Sequence, residues 1–256
     1  DGVAQSYFEY LKIPYTHSGV ISSFNAMNKI SSKEIFIKNK IKTPKFFSIQ
    51  NKYNKKKIIS FLNSKNVKFP IVLKPTNEGS SLGVEICKNK NKMFQKINHL
   101  LKKYSEIILE EHIAGQEIQV AVINGNSIGA IELIPKRLFY DYRAKYTKKA
   151  KTEHVMPARL NKKKYVEVLK IAKKAHESLQ CRGVTRSDFK FFNNNFYLLE
   201  INTQPGMTSL SLVPEIADFK GISFENLVEK ILLDASINRW KKDLLLLLHY
   251  LYYSQL

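Results

Sequence analysis

Cysteine is scarce in this chain. Cys87 and Cys181 are the only two in 256 residues. They lie far apart and match no metal-ligand or redox spacing, which argues against a disulfide scaffold or a zinc module and fits a reducing compartment, the cytosol by default. Acidic side chains are also few, 22 Asp and Glu against 42 Lys and Arg, for a formal net charge of +20. The start, Asp1-Gly2-Val3-Ala4-Gln5, has no basic region leading into an apolar one, so a secretory leader is unsupported. An initiating Met is missing too, and the expectation is a chain processed or cut from something longer. The apolar tail, Leu244 to Leu248 with Tyr250 to Tyr253, falls short of the ~20 residues that span a bilayer. A packing helix is its plain reading, with a weak membrane-surface contact as the alternative.

The excess of positive charge invites a nucleic-acid reading, because clustered Lys and Arg neutralise phosphates and release counterions. The lysines are instead dispersed, as Lys55-Lys56-Lys57, Lys102-Lys103, Lys148-Lys149 and Lys162-Lys163-Lys164, often beside Asn and Ile. A solvated face is the better reading, with no nucleic-acid partner and a field that favours anionic small molecules. Hydrophobic residues make up 44% of the chain. At this length two globular units plus a remnant are expected.

Hydrophobic spacing predicts helices over Gly2–Lys12, Asn28–Asn39, Lys55–Leu62 and Lys92–Lys103. Strands are expected at Phe69–Lys74, Val84–Cys87 and Glu106–Glu110, making a compact α+β unit. Beyond Gly115, the alternation of Ile118, Val120 and Val122, an Asn124-Gly125 turn and a return from Ile128 to Leu133 predict a hairpin that starts a new sheet. Pro135 to Pro157 shows neither period and reads as a functional loop. Tyr165, Val168, Leu169, Ala172 and Leu179 form a helical stripe, and a last helix holds Phe224, Leu227, Val228, Ile231 and Leu232.

The hairpin from Arg186 to Asn202 is the most informative stretch. With Asn193-Asn194-Asn195 as the turn, Phe192 pairs with Phe196, Asp188 with Glu200 and Arg186 with Asn202, and Phe189, Phe191, Tyr197, Leu199 and Ile201 share the core face. Two carboxylates directly opposite repel. A divalent cation held by oxygens of Asp188, Glu200 and Asn202 resolves the conflict and suits Mg²⁺; a solvated pair neutralised by Arg186 and Lys190 is the alternative. Lys74 to Gly83 joins two strands with a lysine, two glycines and two serines. Such a loop can cradle phosphates, although a Gly/Ser hairpin alone is more often just a turn.

In order along the chain stand Met27-Asn28-Lys29, Lys74 to Gly83, Leu109 to Ile113, Tyr140 to Tyr146, Arg186-Ser187-Asp188 and Glu200 to Pro214. This set resembles the D-alanine:D-alanine ligase family over nearly the whole chain from Asp1 to about Arg239. The resemblance implies an α/β (α+β) ATP-grasp fold in which two α+β units clasp a nucleotide. Residues 1–28 would be a remnant of a Rossmann-like N-terminal lobe, 29–115 the central subdomain, 116–239 the catalytic subdomain and 240–256 an atypical tail.

The resemblance further implies that Lys29 and Lys74 contact the ATP phosphates, that Glu110, Glu111, His112 and Ile113 hold the adenine edge, and that Glu117 holds the ribose. Ser80 and Ser81 would close over the phosphates, Lys145 would touch the γ-phosphate, and Leu199 would complete the ATP site. Tyr146 would join Ser80 in loop closure. Asp188, Glu200 and Asn202 would bind two Mg²⁺ ions, for which Mn²⁺ can substitute. Arg186 and the backbone N–H of Gly206 would stabilise the tetrahedral intermediate, and Ser211 and Leu212 would receive the second substrate's carboxylate.

The implied activity joins two D-alanine molecules through an acyl phosphate, for peptidoglycan synthesis. The alternatives are a D-lactate or D-serine acceptor, or an inactive ATP-binding fragment. A homodimer in the cytoplasm is implied for the complete protein. Departures are Asn28 for the usual Asp, His112 for an aromatic and Leu210 for a common His. Asp1-Gly2 matches the end of a family segment whose earlier residues include the glutamate that anchors the first D-alanine, so this chain alone is expected to bind Mg-ATP and make little dipeptide. His17, His99, His154, His176 and His249 receive no role.

Overall fold

A computed structural model describes residues 1–135, 152–208 and 211–237. After helices α1 (Val3–Tyr10), α2 (Val20–Met27) and α3 (Lys29–Lys38), a first sheet is built from β1 (Phe46–Gln50), β2 (Ile71–Pro75), β3 (Glu85–Cys87) and β4 (Glu106–Glu111). Its four strands run β1-β4-β2-β3, all neighbours antiparallel. Helices α4 (Lys55–Ser64) and α5 (Lys90–Leu100) start where Asn54 and Asn89 accept from backbone N–H groups of the first turn. Their stripes Ile58, Leu62, Met93, Ile97 and Leu100 close a core on Ile49, Ile71, Leu73, Ile107 and Leu109. Only one face of the sheet is covered in this way, and Val72, Lys74 and Glu110 stand on the other.

The second sheet contains β5 (Gln116–Ile123), β6 (Asn126–Ile134), β7 (Glu153–Val155), β8 (Val184–Phe192) and β9 (Asn195–Asn202), in the order β7-β6-β5-β8-β9. Helix α6 (Lys162–Ser178) packs its Val168, Ala172 and Ala175 on one face with Ile118, Val120, Phe189 and Leu198. The other face is covered at one end by α7 (Leu212–Phe219), which buries Leu212, Val213 and Ile216 against Ala121 and Ile131, with Leu227 of α8 (Phe224–Leu233) behind it. Its remaining part carries Glu117, Arg186, Asp188 and Glu200.

The β8–β9 register corrects part of the expected hairpin. The turn is two residues, Asn193 and Asn194, both left-handed at φ 46° and 61°, as a primed hairpin turn requires. Phe192 therefore pairs with Asn195, and Phe191 with Phe196. A bulge at Leu199, between the Phe189↔Leu198 and Asp188↔Glu200 pairs, restores the expected partners further out. The extra residue flips the alternation. Phe196 and Leu198 are thus the core residues, while Tyr197 and Leu199 are only partly buried on the opposite face.

Three elements go beyond the expected set. Helix α2, strand β1 and helix α7 are each only five to eight residues long, too short for period to stand out. Strand β7 occupies part of the expected 135–157 loop, paired with β6 through Glu132↔Val155. Among the described residues no helix is long and apolar enough to cross a membrane.

Candidate active site

Strand alternation builds the first wall. On β4, Ile107 and Leu109 enter the core, which leaves Glu110 on the opposite face beside Lys74 of β2. Lys74 Nζ lies 2.8 Å from one Glu110 oxygen, and Lys33 Nζ, arriving from α3, lies 2.8 Å from the other. Glu110 is 3% exposed and Lys33 fully buried. Burial alone would raise the Glu110 carboxyl, but Lys33 and Lys74 outweigh it and hold the group below the usual carboxylate range. Burial pulls Lys33 down to about 8, against the opposing pull of Glu110.

Helix α3 begins where Asn28 Oδ1 accepts from the N–H groups of Ile30 at 3.1 Å and Ser31 at 2.9 Å. Asn serves at this capping position as well as Asp does, so the departure from the family residue leaves the local structure intact. The Lys29 backbone N–H donates to the Thr76 carbonyl at 3.0 Å. The Lys29 ammonium donates to the Glu78 carbonyl in the glycine loop and lies 3.9 Å from Glu200. Burial lowers its pKa, with Glu200 opposing. In that loop Ser80 and Ser81 are both left-handed, at φ 51° and 59°, a costly backbone that persists where the surroundings over-determine it. Gly83 permits the return at φ 68°, where a Cβ would meet Pro75 at 2.8 Å.

The second wall is the β8–β9 ladder, with Asp188 opposite Glu200 and Arg186 opposite Asn202. The Arg186 guanidinium forks onto Asp188 at 2.8 and 3.0 Å, and Asn202 Nδ2 donates to it at 3.3 Å. Asp188 is 6% exposed, so the pair is not solvated on both sides. Lys190 is engaged elsewhere, 3.1 Å from Glu117. The alternative of a surface pair neutralised by Arg186 and Lys190 therefore fits only at Arg186. Asp188, Glu200 and Asn202 form an all-oxygen donor set suited to a hard divalent cation. Among the described residues no group of three or more His, Cys, Asp or Glu forms a metal-sized cluster, so the third protein oxygen here is an amide.

Lys29, Lys74, Ser80, Ser81, Glu110, Glu111, His112, Ile113, Glu117, Asp188, Leu199 and Glu200 all line one cavity between the two sheets. Burial, then Lys190, lowers the His112 pKa and keeps its ring neutral near pH 7. Leu199 reaches the cavity because of the bulge. Arg186 and Asn202 adjoin through Asp188. Gly206 and Ser211 meet in a separate group, where a Cβ on Gly206 would stand 2.7 Å from Ser211 Oγ, while Ser211 Oγ accepts from the Thr208 N–H at 3.0 Å. The Leu212 side chain is packed in the core, leaving only its backbone to offer a ligand. Lys145 and Tyr146 lie outside the described residues.

Sequence reasoning passed over Lys33 and the Lys190–Glu117 pair. The i, i+4 spacing of Lys29 and Lys33 was an available signal, since it places both on one helix face.

The family model described as "D-ala D-ala ligase C-terminus" matches residues 32–233. A D-alanine–D-alanine ligase of Pelagibacter ubique is 59% identical over 239 residues, 93% of this chain and 78% of that protein. Among solved structures, the Bacillus anthracis D-alanine–D-alanine ligase complexed with ATP superposes with a TM-score of 0.78 at 29% identity, over 91% of this chain and 74% of that one. The D-Ala:D-Ser ligase VanG of Enterococcus faecalis gives 0.80 at 27% identity, over 91% and 68%. Sequence and fold agree with the geometry of the cleft, and the chain belongs to the D-alanine–D-alanine ligase family.

Proposed function

We propose that the protein uses ATP to join two D-alanine molecules into the dipeptide required for peptidoglycan synthesis. The observation that carries this reading is the single cavity with Lys29 and Lys74 on one side and the Asp188–Glu200 pair on the other. Buried ammonium groups on one wall suit phosphates, and paired carboxylates on the other suit their counter-cation. The reaction moves the γ-phosphoryl group of ATP to the carboxylate of one D-alanine. The amine of the second attacks the acyl phosphate carbonyl, and phosphate leaves.

Lys29 and Lys74 would hold the phosphates, and the 111–113 segment with Glu110 the adenine edge. Glu117 would exchange its Lys190 contact for the ribose hydroxyls. Ser80 and Ser81 would cover the phosphates, with Lys145 at the γ-phosphate and Tyr146 closing the loop against water. Asp188, Glu200 and Asn202 fit two Mg²⁺ ions, with Mn²⁺ as a substitute, which when bound supply charge neutralisation to the transferring phosphoryl oxygens. Arg186 and the Gly206 N–H would stabilise the oxyanion of the tetrahedral intermediate. Ser211 and the Leu212 backbone would take the acceptor carboxylate.

Residues 1–28, 29–115 and 116–239 are proposed as lobe remnant, central subdomain and catalytic subdomain. A cytoplasmic homodimer completes the proposal. A D-serine or D-lactate acceptor is the second reading, favoured only by the close superposition on a D-Ala:D-Ser ligase; Tyr146 following Lys145 supports an amine acceptor.

The test is Mg-ATP-dependent phosphate release by the full-length gene product, with D-alanine, D-serine and D-lactate offered separately and in mixtures and the product identified by mass. D-alanine-dependent release with D-alanyl-D-alanine formed is expected. A mixed product formed in preference to it would overturn the acceptor assignment. Mg-ATP binding with no turnover would identify an inactive ATP-binding chain.

A further inference from the structure

Helix α3 buries two lysines one turn apart, Lys29 and Lys33. Lys29 reaches the glycine loop, whereas Lys33 does not line the cavity at all. A fully buried lysine is rare unless it is paired. The Lys33 ammonium is 2.8 Å from Glu110 Oε1 and donates to Thr43 Oγ1 at 2.6 Å. The Thr43 hydroxyl donates in turn to the Leu198 carbonyl of β9 at 2.8 Å. Lys33 also sits 5.8 Å from the ring centroid of Phe46, the ladder partner of Glu110. One ammonium thus ties α3 to the first sheet at Glu110 and, through Thr43, to β9 of the second.

We propose that Lys33 is a positioning residue for the nucleotide: it pins one oxygen of Glu110 so that the other holds Lys74, and through Thr43 it sets the first sheet against β9. The proposal rests on the reading of this cavity as the ATP site. Glu110 has two cations, one on each oxygen. Without Lys33 the carboxylate keeps a single partner and gains rotational freedom, and the Lys74 ammonium loses its fixed anchor. The Thr43 link reaches β9 at Leu198, next to the Leu199 bulge and Glu200, so the same loss loosens both walls. Small misplacements of binding groups have large consequences for reactivity. Lys33 remains largely charged at neutral pH, because burial lowers its pKa only to about 8.

The experiment compares Lys33→Met, Lys33→Arg and Thr43→Val with wild type in the full-length protein. Mg-ATP affinity is read by calorimetry, and KM is measured separately for ATP and D-alanine. Lys33→Met is expected to weaken Mg-ATP binding and raise KM for ATP roughly tenfold, the size of one lost charged hydrogen bond, while KM for D-alanine moves less than about twofold. Lys33→Arg recovers part of the loss. Thr43→Val raises KM for ATP about threefold, as for a neutral hydrogen bond. Added to Lys74→Met, Lys33→Met causes less than about a twofold further loss, because the two act through one carboxylate.

Unchanged ATP parameters in folded Lys33→Met, equal rises in both KM values, or full additivity with Lys74→Met would overturn the proposal. If Lys33→Met does not fold, Thr43→Val decides, and wild-type ATP affinity in that variant overturns it. Absence of Mg-ATP binding by wild type would overturn the nucleotide reading and this proposal with it.

Discussion

The two sheets that face each other across the cleft solve the same problem with opposite charge. Each is apolar on the face covered by helices and carries a buried carboxylate on the other. On the first sheet Glu110 is matched by two ammonium groups, Lys33 and Lys74, so the cluster is left positive. On the second, two carboxylates, Asp188 and Glu200, share the ladder face with one guanidinium, Arg186, so those three side chains together carry a net negative charge. Lys29, 3.9 Å from Glu200, sits between them. A polyanion with its metal counter-ions is the ligand such a polarised cleft accommodates: phosphates belong by the first wall and cations by the second. The lesson is that local neutralisation was left incomplete in opposite senses on the two walls.

The comparison breaks most severely if the second wall does not need its negative charge. In the full-length enzyme, Asp188→Asn or Glu200→Gln is expected to lower D-alanine-dependent phosphate release roughly a thousandfold or more, on the order of 4 kcal/mol in the transition state. The far-ultraviolet circular dichroism should be unchanged, and activity within about tenfold of wild type would remove the metal assignment.

The first wall is probed through stability. Glu110→Gln strands two lysines, one of them fully buried. Breaking a buried pair costs roughly 3–5 kcal/mol. The low end, about 3 kcal/mol, is expected because Lys33, already lowered to about 8, can shed its proton. Urea denaturation at pH 7 and at pH 9 checks this, with a smaller loss at pH 9; an equal loss at both would exclude relief by deprotonation.

A pH-dependent effect comes from the covered side of the second sheet, where burial outweighs the opposing pull of Glu177 on His176. His176 is buried against Thr185 at 2.8 Å, and burial lowers its pKa to about 4. The folded state thus binds fewer protons than the unfolded state between the ordinary value near 6.5 and about 4. Its contribution is complete above about pH 6.5 and is lost as pH falls through that window, on the order of 3 kcal/mol in total. Denaturation midpoints of wild type and His176→Gln between pH 7.5 and 4.5 measure it. Parallel curves would show that the imidazole does not carry the acid sensitivity.

Much of the fold was legible because its signals are local. The alternation of Ile118, Val120 and Val122 with the Asn124-Gly125 turn marked one hairpin, and the Asn193-Asn194-Asn195 run located the turn of the other to within one residue. The pairing of Asp188 with Glu200 followed from alternation, although the inner half of that hairpin was shifted by one residue. Turn length and bulge compensate each other, and no alternation count detects a cancelled pair of irregularities. Helix α3 was expected at nearly its observed limits. Its buried face was obscure because Lys29 and Lys33 interrupt the apolar stripe around Phe36.

Helix stripes, the approximate places where the chain turns back and the family's motifs could be read from residues a few positions apart. Folding brought Lys33, Glu110 and Lys74 into one charged cluster, turned Leu199 into the cavity, and gave Asp188 to Arg186 and Glu117 to Lys190. A charge placed between packed sheets chooses its partner by distance and desolvation. Both quantities exist only once segments as remote as residues 33, 43, 110 and 198 have been brought together.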